Sequence, residues 1–96
     1  MGVKEVVINT GLVYGGNWAK KTRRVGLAIA KANGIDLKLM NEAVSELNRV
    51  VFEKMQELGV RVEDVVRVSA KLEVNLDTNE YSVGDVEIGV WKKMGR

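Results

Sequence analysis

The sequence predicts an α+β fold: an antiparallel sheet of three to four strands with two helices packed on one face, in the order β-α-α-β-β. Three observations carry this. Residues 66–76 alternate between apolar and polar, residues 36–59 show helical apolar spacing, and an apolar strand-like segment at 3–14 precedes both helices. No proline, linker, repeat or low-complexity stretch interrupts the 96 residues. They are therefore expected to form one domain, 1–96.

In residues 3–14, Val6, Ile8, Leu12 and Tyr14 share one parity, interrupted by Thr10, and are expected to face the core. Gly15-Gly16 ends that strand. Asn17 is a suitable N-cap for a helix running to about Ala32 and closed by Asn33-Gly34, with Trp18, Thr22, Val25, Ile29 and Ala32 along its buried face. Asp36 can cap a second helix of about 22 residues ending at Gly59. Its stripe is Met40, Val44, Leu47, Val51, Met55 and Leu58, widened by Ala43 and Val50. The outer face holds Glu42, Glu46, Arg49, Glu53 and Glu57, with Arg49 at pairing distance from Glu46 and Glu53.

The third apolar segment is the clearest strand. Val66, Val68, Ala70, Leu72, Val74 and Leu76 alternate with Arg67, Ser69, Lys71, Glu73 and Asn75, so one face is buried and the other wet. Asp77-Thr78-Asn79 has turn chemistry. In the return segment Tyr81 and Val83 lie on one parity, while Val86, Ile88 and Val90 lie on the other. A bulge or break at Gly84-Asp85 is expected there.

The composition excludes several chemistries. There is no cysteine and no histidine, which removes disulfides, thiolate metal sites and the side chain that ordinarily titrates near neutral pH. Glu63-Asp64 is the only adjacent acidic pair, and its position before a strand suits capping better than catalysis. Gly15-Gly16 before a helix resembles a phosphate loop only in part, and a simple turn accounts for it. No enzyme activity, cofactor or metal is expected. Val6-Val7-Ile8 is too short for a signal-peptide core or a membrane span, so a cytoplasmic protein without membrane contact is expected.

Charge is distributed unevenly. Residues 16–34 carry Lys20, Lys21, Arg23, Arg24 and Lys31 and no acid, in a chain whose net charge is only +2. Lys20 and Lys21 fall in the first turns of the helix, where its dipole disfavours cations by about 0.3–1 kcal/mol each. A stability-driven sequence would place acids there, and a local violation of that kind points to function. The counter-reading is a solvated lysine-rich face, or cations paired with the acids of the second helix. Trp18 stands beside the basic cluster and reads equally well as core or contact. Trp91 has the parity of the polar strand face and is followed by Lys92 and Lys93. Aromatics beside cations suit single-stranded nucleic acid, with bases stacking on rings while Lys and Arg follow the phosphates. The expected contacts are Trp18, Lys20, Lys21, Arg23, Arg24, Arg67, Lys71, Trp91, Lys92 and Lys93.

Thr10-Gly11, then Gly15-Gly16-Asn17-Trp18-Ala19-Lys20-Lys21-Thr22-Arg23-Arg24, then Glu46-Leu47-Asn48-Arg49, then Glu63-Asp64-Val65-Val66-Arg67-Val68 occur in that order. This pattern, over nearly the whole chain, resembles the archaeal ThermoDBP-related family. The resemblance implies a sequence-tolerant single-stranded DNA-binding domain, with an aromatic cleft flanked by basic residues, and assembly into homo-oligomers. The family's type member has a phenylalanine-rich cleft, whereas this chain has one Phe, and no coiled-coil extension follows by Arg96, so zipper-type pairing is not expected. The segment from Val86 to Lys93 is also similar to the last strand of Alba-type chromatin proteins, but no strand is predicted between the two helices. The expected partners are single-stranded DNA or RNA and a second copy of the chain, as dimer or tetramer. The alternative is a non-catalytic oligomeric interaction protein with weak or no affinity for nucleic acid.

Overall fold

A computed structural model describes residues 2–93. The elements are β1 (Val3–Asn9), β2 (Val13–Tyr14), α1 (Trp18–Asn33), α2 (Leu37–Glu57), β3 (Val65–Asn75) and β4 (Glu80–Trp91). β3 is the central strand. β1 and β2 pair in succession along one side of it and β4 along the other, all antiparallel. Its alternation settles this place: Val66, Val68, Ala70, Leu72 and Val74 are all buried, and Arg67, Lys71 and Glu73 are exposed. α1 packs on β1, β2 and β3 while α2 packs on β3 and β4, so both helices cover one face and leave the other open.

The first strand is not continuous. Asn9 lies opposite Ser69 but Val13 lies opposite Val66, so β1 and β2 are separated by one extra residue. Gly11 absorbs it at φ +64, a conformation that favours glycine. Thr10 stays buried. Its Oγ1 accepts the Val68 N–H at 3.0 Å, and its own N–H donates to the Val68 carbonyl at 2.9 Å. One added residue exchanges the faces of everything after it. Leu12 and Tyr14, expected in the core, are therefore exposed, and Val13 packs inward instead.

The buried residues of α1 are Trp18, Thr22, Gly26 and Ala30, with Val25 and Ile29 half-buried beside them and Ala32 exposed, against expectation. Small residues set this face because α1 comes close to α2: a Cβ on Gly26 would lie 2.7 Å from Val44 Cγ2. Between the helices, the buried Thr22 hydroxyl lies 2.6 Å from Asn48 Oδ1 and 2.8 Å from the Ala19 carbonyl, satisfying a polar pair inside the core. Asn17 occupies the N-cap position but makes no side-chain capping bond, while Gly34 closes the helix in the left-handed conformation. In α2, Asp36 Oδ1 caps the Lys38 N–H at 3.0 Å, and Met40, Ala43, Val44, Leu47, Val51 and Met55 are buried as their spacing predicts. Leu58 is exposed because α2 stops at Glu57 and the chain turns through Gly59 at φ +66. Arg49 bonds both Glu46 and Glu53. β4 has the expected bulge: Ala70 pairs with Val86 but Leu72 pairs with Val83, leaving Gly84 and Asp85 together opposite Lys71.

Candidate nucleic-acid interface

The exchange of faces at Gly11 shapes the open side of the sheet. Tyr14 on β2 pairs with Val65 on β3, and Val65 pairs with Trp91 on β4. All three side chains lie opposite the core face. Tyr14 is 60 % exposed and Trp91 51 % exposed. Two strand spacings separate the aromatic residues, or about 10 Å between backbones. In the next row, Arg67 pairs with Gly89. A Cβ on Gly89 would meet the Trp91 ring carbons Cη2 and Cζ3 at 3.0 Å, so the indole lies back over Gly89, alongside the strand position of Arg67. The result is an aromatic row with Arg67 in the adjacent register position, at one end of the sheet.

The other end of the open face has the opposite character. Lys71 shares a shallow hollow with Val7, Asp85 and Glu87, and Glu5 pairs with Glu73 one row further on. Lys71, expected as a contact, thus stands among acids, and a phosphate is favoured only at the end that carries Arg67.

Around the edge of β2, the first turns of α1 form a second surface. Val13, Asn17, Lys20, Lys21 and Arg24 line a hollow of about 340 Å³. It is joined directly to the aromatic row, because Tyr14 and Val13 are neighbours on opposite faces of β2 and the Asn17 N–H donates to the Tyr14 carbonyl at 2.8 Å. Arg23 is exposed but outside the walls of this hollow. Among the described residues, Lys20, Lys21, Arg23 and Arg24 form no ion pair, and the bonded acids of α2, Glu46 and Glu53, both go to Arg49. Arg49 holds the Glu46 carboxyl below the usual range, through its hydrogen bond first.

Two expected contacts lie elsewhere. Trp18, 8 % exposed, is a core residue and presents no ring face to a base. Lys92 points to the protein rather than away from it: its Nζ donates to the Gly59 carbonyl at 2.6 Å and the Leu58 carbonyl at 3.3 Å, and lies 3.5 Å from Asp64 Oδ2. Asp64 is fully buried. Its carboxylate accepts the Arg61 N–H at 2.9 Å and the Lys93 N–H at 3.2 Å, the capping role its position suggests. Gly15 and Gly16 form no phosphate loop. Their N–H groups donate to the Asp64 and Val62 carbonyls, and a Cβ on Gly15 would sit 2.2 Å from the Arg61 carbonyl oxygen. Tyr14 is the site residue that sequence reasoning missed. Leu12 and Tyr14 keep the apolar parity of Val6 and Ile8, so no change of pattern at Gly11 marks it.

Among the described residues no cluster of acids could hold a metal ion, and no helix is long and apolar enough to cross a membrane. No family profile and no curated relative matches the chain. Solved structures do. The chain is similar to pfuThermo-DBP-RP1, with 35 % identity and a TM-score of 0.79 over 91 % of this chain and 58 % of that one. It is also similar to apeThermo-DBP-RP2, solved bound to the single-stranded DNA dT10, with 26 % identity and a TM-score of 0.78 over 95 % of this chain and 44 % of that one. The chain thus spans about half the length of these proteins. In both sequence and fold the chain is similar to the ThermoDBP-related proteins.

Proposed function

We propose that residues 1–96 form one non-catalytic domain that binds single-stranded DNA, and RNA of the same length, with little preference for sequence. The observation that carries this is the row Tyr14–Val65–Trp91 with Arg67 in the next register position, flanked at the β2 edge by Lys20, Lys21 and Arg24, which form no ion pair among the described residues. Two bases stack on the tyrosine and tryptophan rings, at roughly 1–3 kcal/mol each, and the phosphates between and beyond them run to Arg67 and the α1 hollow. Every base has a π-face, so stacking on the two rings accounts for the tolerance of sequence. A duplex, whose bases are already stacked, gains nothing from the rings. The ssDNA bound to apeThermo-DBP-RP2 supports this choice of ligand.

The buried Trp18 and exposed Trp91 make a direct optical test. Addition of dT10 should quench the tryptophan emission of the wild-type chain. In Trp91→Phe it should leave the remaining Trp18 signal unchanged, while anisotropy of a labelled dT10 still reports binding to the phenyl ring. Quenching that survives in Trp91→Phe would place the oligonucleotide elsewhere.

A homo-oligomer in the same cytoplasmic setting is compatible with this reading and is favoured by β4. It is a 12-residue edge strand, and its inward residues Val83, Val86, Ile88 and Val90 are only half-buried where their β3 partners are fully buried. A second copy laid along that edge would cover them and pair the free backbone groups. Light scattering should give a mass of two or four chains, and a monomer at high concentration would count against it.

A further inference from the structure

We infer that Lys92 and Asp64 form a positioning pair that presents the Trp91 ring, and that Lys92, although it follows an exposed aromatic, does not itself contact nucleic acid. This rests on the proposed single-strand binding at Trp91. An ammonium group has three protons to donate. Two go to the Gly59 and Leu58 carbonyls at 2.6 and 3.3 Å, and the Asp64 carboxylate lies 3.5 Å away as the ion-pair partner of the half-exposed ammonium. The lysine thereby ties the end of β4 to the C-cap Leu58 and to Gly59 just past α2, at the end where the helix dipole favours a cation. Asp64 completes the clamp from below: fully buried, it receives the Lys93 N–H on Oδ1 and the Arg61 N–H on Oδ2.

The position of the clamp gives it its role. β4 is an edge strand, and Trp91 is its last residue. A terminal residue on an edge frays unless something fixes it. On one side Trp91 is held by the pairing of Val90 with Val66 and by its own pairing with Val65. On the other side, the bonds of Lys92 and Lys93 to Asp64 and to the α2 terminus hold the chain. Together these keep the indole folded over Gly89, beside the register position of Arg67. An aromatic ordered before the ligand arrives does not have to be ordered by it, and that saving appears as affinity.

The test compares Lys92→Met, which keeps the aliphatic stem and loses the charge, with Lys20→Met, a variant in the α1 hollow. Binding of labelled dT10 is measured across salt concentrations, and acrylamide quenching of Trp91 is measured without oligonucleotide. Lys92→Met should bind roughly three- to tenfold more weakly, the order of the cost of ordering one side chain. Its salt slope should equal that of the wild type, and its Trp91 should be more open to acrylamide. Lys20→Met should instead lower the slope by about 0.7, the value for one phosphate contact on a single strand. A lowered slope in Lys92→Met would make Lys92 a phosphate contact and overturn the inference. Wild-type affinity together with wild-type quenching would overturn it too. If the wild-type chain bound no dT10, the binding proposal would fall, and acrylamide quenching alone would still decide whether Lys92 holds Trp91 in place.

Discussion

Changing Lys20, Lys21, Arg23 and Arg24 together to Glu is expected to abolish oligonucleotide binding and leave the fold intact. The four side chains lie off the buried face of α1, and among the described residues none of them has an ion-pair partner to lose. Acids in the first turns of α1 suit the helix dipole, at about 0.3–1 kcal/mol each, so thermal stability should hold or rise slightly. The electrostatic effect is far larger. Each phosphate neutralised on a single strand contributes about 0.7 to the slope of log affinity against log salt, so removing up to four contacts flattens it by roughly 3. The introduced acids also repel the strand from the hollow beside Tyr14. Circular dichroism and a salt-resolved titration check both halves, and unfolding of the variant would show that the basic helix is structural.

Replacing Tyr14 and Trp91 together by Ala is the complementary experiment, because it removes stacking and leaves charge untouched. Each ring is worth roughly 1–3 kcal/mol when a base stacks on it. The two stand about 10 Å apart, far enough for their losses to add, so the double variant should lose roughly 2–6 kcal/mol of binding free energy. Both side chains are more than half exposed, so the fold should survive. The salt slope should stay at the wild-type value, since stacking releases no counterions. A double variant that instead changes the mass of the particle and leaves binding per chain unchanged would identify these aromatics as a subunit contact.

Much of this arrangement is legible in the sequence, and the parts that are not share a physical cause. α2 and β3 can be read because one uninterrupted period runs through each, as in Met40–Val44–Leu47–Val51–Met55 and Val66–Val68–Ala70–Leu72–Val74. The β4 bulge can also be read, because the apolar parity changes at Gly84-Asp85 and leaves a trace in the residue types. The bulge at Gly11 leaves no such trace. Leu12 and Tyr14 keep the parity of Val6 and Ile8, so the exchange of faces is invisible until the β3 register is known. Tyr14 consequently looks like core, and half of the aromatic row is lost to sequence reasoning. The surroundings of Trp18 and Lys92 are illegible for a different reason. Whether an aromatic on a helix is core, or a lysine on a strand end is free, depends on distant partners. The carbonyls that hold Lys92 lie 33 and 34 residues away in the chain. The basic surface of α1 was legible because its conflict with the helix dipole is local.

The most direct test of the central claim is one titration: labelled dT10 against a duplex of the same length, repeated from low to moderate salt. Single-strand binding through the Tyr14–Trp91 row and the α1 hollow predicts that dT10 binds more tightly than the duplex. It also predicts affinity that falls steeply and linearly with log salt, and a preference for the single strand that persists as salt rises, because stacking does not depend on counterions. Absence of dT10 binding at low salt, or tighter binding to the duplex, would contradict it.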